Sequence, residues 1–321
     1  MKLINLTTAP VEEYAHLRCV VLPSGIGEFQ WAWTKLCNTG EKFAIFSLDG
    51  APRRLHQFAE LHPGVEAFGW VGFDYSQIRA FQKMHELDTW AAVTRNFGPG
   101  QLVFLACNPH LEAGFPLRDW MPDLPVSYTY DLHTSVRHKI EAEGILHGAG
   151  PSDVLIGISC ASYRGAAAWK TWDDVGWTEL LTLVQRRIPN ARFVLLGGSW
   201  DDVTSAVYNP DGPLRWQLDR RGLPPVGLSS FGGAVEVLKR LAGYIGFSSG
   251  LGHVAAHLCG CPVAMLWPDH EYDLLSTSWV NPELLANGSY VPLPWHSPGE
   301  VFERITPWLS QLRVEALSSP R

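Results

Sequence analysis

Between the apolar run YIGF and an apolar helical stretch lies Ser248-Ser249-Gly250-Leu251-Gly252-His253. Small residues at a strand-to-helix turn let an anion approach the first amides of the helix. Those amides lack intrahelical acceptors and carry the positive end of the helix dipole. Ser248 or Ser249 can cap the helix, and His253 falls in its first turn, within reach of an anion. Serine and glycine also serve packing alone at such junctions, so the turn by itself leaves a binding and a structural reading open.

A second turn of the same kind follows the run CVVLP: Ser24-Gly25-Ile26-Gly27-Glu28, opening another helical stretch. It lacks the third glycine of a dinucleotide fingerprint and the Gly-Lys-Ser/Thr of a phosphate loop. Its distinctive residue is Glu28, a carboxylate in a first helical turn. The helix dipole favours the ionised form there, which suits a general base; an acidic residue in a first turn also stabilises a helix with no further role. The third stretch, SCASYRGAAAWKTW at 159–172, brings Arg164 and Lys170 to a loop after another apolar run. Fixed cations there would stabilise a departing phosphate, whereas a solvated loop is the plain alternative.

These turns need strands and helices to hold them, and the hydrophobic pattern supplies both. Apolar runs of strand length at 19–23, 42–48, 66–73 and 101–107 alternate with helical periodicity, for example Ile78, Phe81 and Met84. The second half repeats the scheme, with strands expected at 153–159, 191–198, 243–248 and 262–267 and helices at 177–188, 234–242 and 250–258. Continuous apolar runs alternating with helices predict α/β architecture with parallel sheets covered on both faces. The pattern loosens between Met121 and Pro151, predicting domains at 1–145 and 146–321 that face across a cleft. The last helical stretch, 299–312, can pack back on the first domain, and Pro307 should restart or kink it.

The 321 residues, 46% hydrophobic and 18% charged, suit a folded two-domain protein. A net charge of −7 without a Lys/Arg run gives no sign of nucleic-acid binding. No apolar run has membrane-spanning length, and Glu12, Glu13, His16 and Arg18 are unlike a signal peptide, so a cytoplasmic location is expected. The six cysteines are scattered in apolar segments, as free thiols of a reducing compartment are. His253, His257, Cys259 and Cys261 have a metal-like spacing, but Gly260 and Pro262 turn the chain where helix gives way to strand. Four converging ligands are not expected there, and no metal is assigned.

Together the stretches resemble the family 9 glycosyltransferases of the lipopolysaccharide heptosyltransferase type. The resemblance rests on Ser24-Gly25-Ile26-Gly27-Glu28, on Trp169-Lys170-x-Trp172 before WTELL, on FVLLGG at 193–198, and on Ser249-Gly250-Leu251-Gly252-His253-Val254-Ala255-Ala256 with Cys261-Pro262-Val263 beyond. It implies a GT-B fold of two Rossmann-like doubly wound domains. It also implies inverting transfer of a sugar from a nucleotide-diphosphate sugar, the co-substrate, to an acceptor hydroxyl on a saccharide or glycolipid.

By the same resemblance, Glu28 is the base and Ser24, Gly25 and Gly27 form the turn near the acceptor. Lys170 matches the lysine that neutralises the donor phosphates, and Ser249, Gly250 and Leu251 match the turn whose amides hold the diphosphate, with His253 nearby. Arg164 and Ser248 join them as expected donor-binding residues by their own positions in the sequence. The base pocket is expected in the loop 224–233. No Asp-x-Asp triplet occurs, so neither a metal nor another cofactor is expected. The chain departs from the family at Glu28, usually aspartate, and at Ser248, where the family carries an aspartate toward the donor sugar. The donor sugar therefore stays open. Three alternatives remain: transfer to a hydroxylated nucleobase or other non-lipid acceptor, sugar-nucleotide epimerisation, and sugar-nucleotide binding without catalysis.

Overall fold

The computed structural model describes residues 1–5, 9–22, 25–47, 53–70, 102–104, 123–160, 172–196, 222–223, 230–278 and 280–318. They fall into two compact units, Met1–His133 and Thr134–Arg321. In the first unit the described elements are β1 (Lys2–Asn5), β2 (Arg18–Leu22), α1 (Ile26–Leu36), β3 (Phe43–Ser47), α2 (Arg53–Ala59), β4 (Val65–Trp70) and β5 (Leu102–Phe104). The strands form one parallel sheet in the order β1-β4-β3-β2-β5. Every residue of β3 is buried, as a strand covered on both faces requires. The periodic stretch around Ile78, Phe81 and Met84 lies outside the described residues.

The second unit runs α3 (Val136–Leu146), β6 (Val154–Ser159), α4 (Asp174–Arg187), β7 (Ala191–Leu195), β8 (Gly222–Leu223), α5 (Phe231–Leu238) and β9 (Gly243–Phe247). It continues with α6 (Gly250–Leu258), β10 (Val263–Trp267), α7 (Asp269–Leu275), α8 (Pro282–Ala286), β11 (Tyr290–Pro294) and α9 (Pro298–Ser318). Its parallel sheet has the order β11-β10-β9-β6-β7-β8. Counted from β6, this is the 3-2-1-4-5-6 order of a Rossmann fold. Ile156, Ile158, Phe193, Ile245 and Leu266 share a core with Trp177, Leu180 and Val184 of α4. Burying each such side chain contributes about 1.5–3 kcal/mol.

The first compact unit ends at His133 and the second begins at Thr134. The loosened stretch contains α3, whose N-cap Ser135 accepts from the amide of His138. The Glu141 carboxylate on α3 accepts hydrogen bonds from the amide and hydroxyl of Ser230, the N-cap of α5. Residues 134–146 therefore belong with the second unit. Within the second unit Val301, Ile305, Trp308 and Leu309 of α9 bury into its core, and the helix runs unbroken through Pro307.

In the first unit His62 is buried against Phe29, Trp33 and Phe58. Its Nδ1–H donates to the Phe58 carbonyl at 2.8 Å, so Nε2, 3.2 Å from the Tyr130 hydroxyl, is the bare acceptor. Burial lowers its pKa from 6.5 to about 3. Because the unfolded chain binds the proton first, this contribution is complete above pH 6.5 and is lost as pH falls toward 3. Urea midpoints between pH 7 and 5 should thus fall with acidification. His62→Gln should remove up to about 1.4 kcal/mol per pH unit of that slope, one proton's worth.

Candidate functional site

In an open parallel sheet, ligands bind beyond the carboxyl ends of the strands, where the strand order reverses. In the first sheet the chain steps outward from β2 through β3 to β4 and then crosses to β5 on the other side of β2. The reversal lies between β2 and β5, and the turn leading into α1 emerges from β2 at that edge. In the second sheet the reversal lies between β6 and β9. β6 ends there at Ser159, and Ser248 and Ser249 leave β9. Topology thus brings the starts of α1 and α6 to the switch points of their own sheets.

In the first unit Gly25 is the N-cap of α1, at φ −85° and without a side-chain cap bond. Glu28 stands in the first turn, half-buried. Its side chain folds back over the cap so closely that a Cβ on Gly25 would overlap the carboxylate. That φ suits any L-residue, so glycine is needed here for space rather than handedness. The overlap is with the far end of a flexible side chain, so Gly25→Ala should displace Glu28 with little loss of stability. We expect a melting temperature within a few degrees of wild type and turnover between those of wild type and Glu28→Gln, read by product release. Gly27 is buried within the same turn, whereas Ser24 lies outside the described residues.

In the second unit Ser249, not Ser248, is the N-cap of α6, its Oγ accepting from the amide of Gly252 at 3.3 Å. Gly250 and Leu251 follow as the first helical residues, half-buried, with amides that the helix cannot satisfy. Gly252 lets the helix sit close to the sheet: a Cβ there would overlap Met265 Cε and lie 3.3 Å from Tyr244 Cε1. Ser248 is 7% exposed, and its Oγ has no hydrogen-bond partner among the described residues. A buried hydroxyl left so is costly, on the order of 1–3 kcal/mol.

His253 departs from expectation. Its ring is buried in the second core, 5.9 Å from His257, 6.1 Å from Trp267 and 6.3 Å from Tyr290 by centroids. Desolvation lowers its pKa to about 3, so at neutral pH it carries no positive charge to offer an anion. Helical spacing placed it in the first turn, but the face it occupies is the inner one. His257 is neutral too: Nδ1–H donates to the His253 carbonyl, and Nε2 accepts from the Asn281 amide at 3.1 Å. Both nitrogens are thereby committed within the protein.

Beneath the β6–β9 edge lies an aromatic cluster whose contacts the sequence did not reveal. Trp177 packs edge-on against Trp172 and Phe247, with centroids at 5.1 and 5.8 Å, and its Nε1–H donates to the carbonyl of Cys160 at 3.2 Å. Trp172 Nε1–H donates to the His296 carbonyl. These two tryptophans are floor rather than stacking platform, since both are buried. Arg164 and Lys170 lie outside the described residues, as does 224–229 of the expected base-pocket loop. The rest of that loop, 230–233, opens α5, whose first turn is closed by Ser230 and Glu141.

Solved structures carry the same fold. The chain matches a family 9 glycosyl transferase from Veillonella parvula with TM-score 0.59 and 11% identity, over 93% of this chain and 99% of that one. It matches the E. coli ADP-heptose lipopolysaccharide heptosyltransferase II with TM-score 0.58 and 14% identity, over 99% and 100%. This chain has the GT-B fold. A third match is an E. coli heptosyltransferase solved with ADP, at TM-score 0.50 and 16% identity, covering 92% of this chain and 99% of that one. No protein-family model matches the sequence, and no curated protein matches it. The expected pair of doubly wound α/β units is what the GT-B structure contains. Among the described residues no helix is long and apolar enough to cross a membrane.

Proposed function

We propose that this GT-B protein is a glycosyltransferase that moves a sugar from a nucleotide-diphosphate sugar to an acceptor hydroxyl, with inversion and without a metal. The observation that carries the reading is the coincidence of two helix starts with two switch points: an acid folded over a helix start in one unit, and in the other a capped small-residue turn beside a buried serine with no partner among the described residues. One structural neighbour is an ADP-heptose heptosyltransferase and another was solved with ADP, which supports a nucleotide sugar as donor and a saccharide or glycolipid as acceptor.

In this mechanism the donor diphosphate rests on the amides of Gly250 and Leu251, with Ser248 and Ser249 contributing hydroxyls. Lys170 and Arg164 balance its charge. Glu28 accepts the proton of the acceptor hydroxyl as that oxygen bonds to the anomeric carbon. The bond from that carbon to phosphate breaks, and the nucleoside diphosphate leaves with the electron pair. Fixed amides and cations stabilise the leaving charge without reorganisation. His253 is left out of the anion contacts, because burial keeps it neutral.

Thermal shift with nucleoside diphosphates and their sugars, on wild type and Lys170→Ala, tests the proposal. At a hundred times its Kd a ligand should stabilise the wild-type fold by about 2.7 kcal/mol. The variant should lose most of that response at the same concentration. A panel in which no nucleotide shifts the wild type would remove the donor site, and the reaction with it.

A further inference from the structure

Tyr244, on β9, is fully buried, and its ring runs under the first turn of the next helix. Two glycines make the space. A Cβ on Gly246 would stand 2.9 Å from the Tyr244 hydroxyl, and one on Gly252 would stand 3.3 Å from its ring. The hydroxyl ends 3.3 Å from Oγ of Ser249, the residue that caps α6.

A serine hydroxyl has two acceptor sites and one proton. The amide of Gly252 uses one acceptor site of Ser249. A phenol is much more acidic than an aliphatic alcohol, so the favoured polarity has Tyr244 donating to Ser249. Both acceptor sites are then filled, and the remaining capacity of Ser249 is its own O–H, available to a ligand. A group in that state welcomes an acceptor-only oxygen, such as a phosphate oxygen, and has nothing to offer a ligand donor.

We infer that Tyr244 is a positioning residue that turns Ser249 into an obligate hydrogen-bond donor and thereby selects a phosphate oxygen at this turn. The inference rests on the donor reading above and adds to it the residue that sets the polarity of the cap. Tyr244 itself does not touch the ligand.

The test is calorimetric binding of ADP, CDP, GDP, UDP and dTDP, each beside its parent nucleoside, to wild type, Tyr244→Phe, Ser249→Ala and the double variant, with melting temperatures recorded for all. The diphosphate that binds wild type should bind Tyr244→Phe about fivefold more weakly, the equivalent of one net hydrogen bond. Its nucleoside should bind both proteins alike. In the Ser249→Ala background, Tyr244→Phe should add no further loss, because the two residues act through one atom. Parallel loss of diphosphate and nucleoside would make Tyr244 a packing residue only and overturn the inference. So would unchanged diphosphate affinity in Tyr244→Phe, or full additivity in the double variant. If no diphosphate binds wild type, the donor reading fails and this inference with it; the other outcomes leave that reading standing.

Discussion

Glu28→Gln should lower kcat by about a thousandfold, the middle of the range for loss of a positioned general base, while nucleoside diphosphate affinity stays within about twofold of wild type. Glutamine preserves the size of the side chain and its fold over Gly25 but cannot accept the acceptor's proton. The stability cost should be small, about 0.3–1 kcal/mol for one negative charge lost near a helix N-terminus. Release of nucleoside diphosphate from the donor reads the effect, and slow hydrolysis by water serves until an acceptor is found. Turnover within tenfold of wild type would assign proton removal elsewhere and leave Glu28 as a helix-starting acid. A wild-type protein that binds the donor without releasing product would fit the non-catalytic reading, and an isomerised donor seen by NMR would fit the epimerase.

The second large effect is on stability. Trp177→Ala should destabilise the second unit by about 3–5 kcal/mol, as loss of a fully buried aromatic does. The residue has no exposed surface and packs on Trp172 and Phe247. Its removal also takes away the hydrogen bond to the Cys160 carbonyl, just before the segment that carries Arg164 and Lys170 in the sequence. Trp177→Phe fills most of the space and loses only the hydrogen bond, so it should cost less than half as much. Urea midpoints of the two variants check the ordering, and equal midpoints would show that the carbonyl bond dominates over packing.

Much of the fold is legible from the chain because burial on both faces forces uninterrupted apolar runs. The runs at 19–23, 42–48, 153–159, 243–248 and 262–267 each match a strand of the structure to within one residue at either end. Other elements are too short or too polar to show such a run. β1 has four residues, with Lys2 and Leu3 exposed at the sheet edge. β11 carries two prolines, which disguise an edge strand. α3 buries only Ala142 and Ile145, so its periodicity is faint and its stretch looks like linker. What ties it to the second unit is the Glu141–Ser230 contact, 89 residues apart.

By itself the sequence determined the local chemistry: which turns are small, which helix starts can receive charge, and that Glu28 stands in the first turn of its helix. These depend on neighbours three or four residues away, which spacing encodes directly. Only the tertiary structure decided which of those turns lie at a reversal of strand order, which face of α6 His253 occupies, and that Tyr244 reaches Ser249 through space left by Gly246 and Gly252. Each of these depends on packing between elements. Strand order is settled by which apolar faces meet, and a helix's inner face by the sheet it covers, neither of which periodicity along one chain specifies.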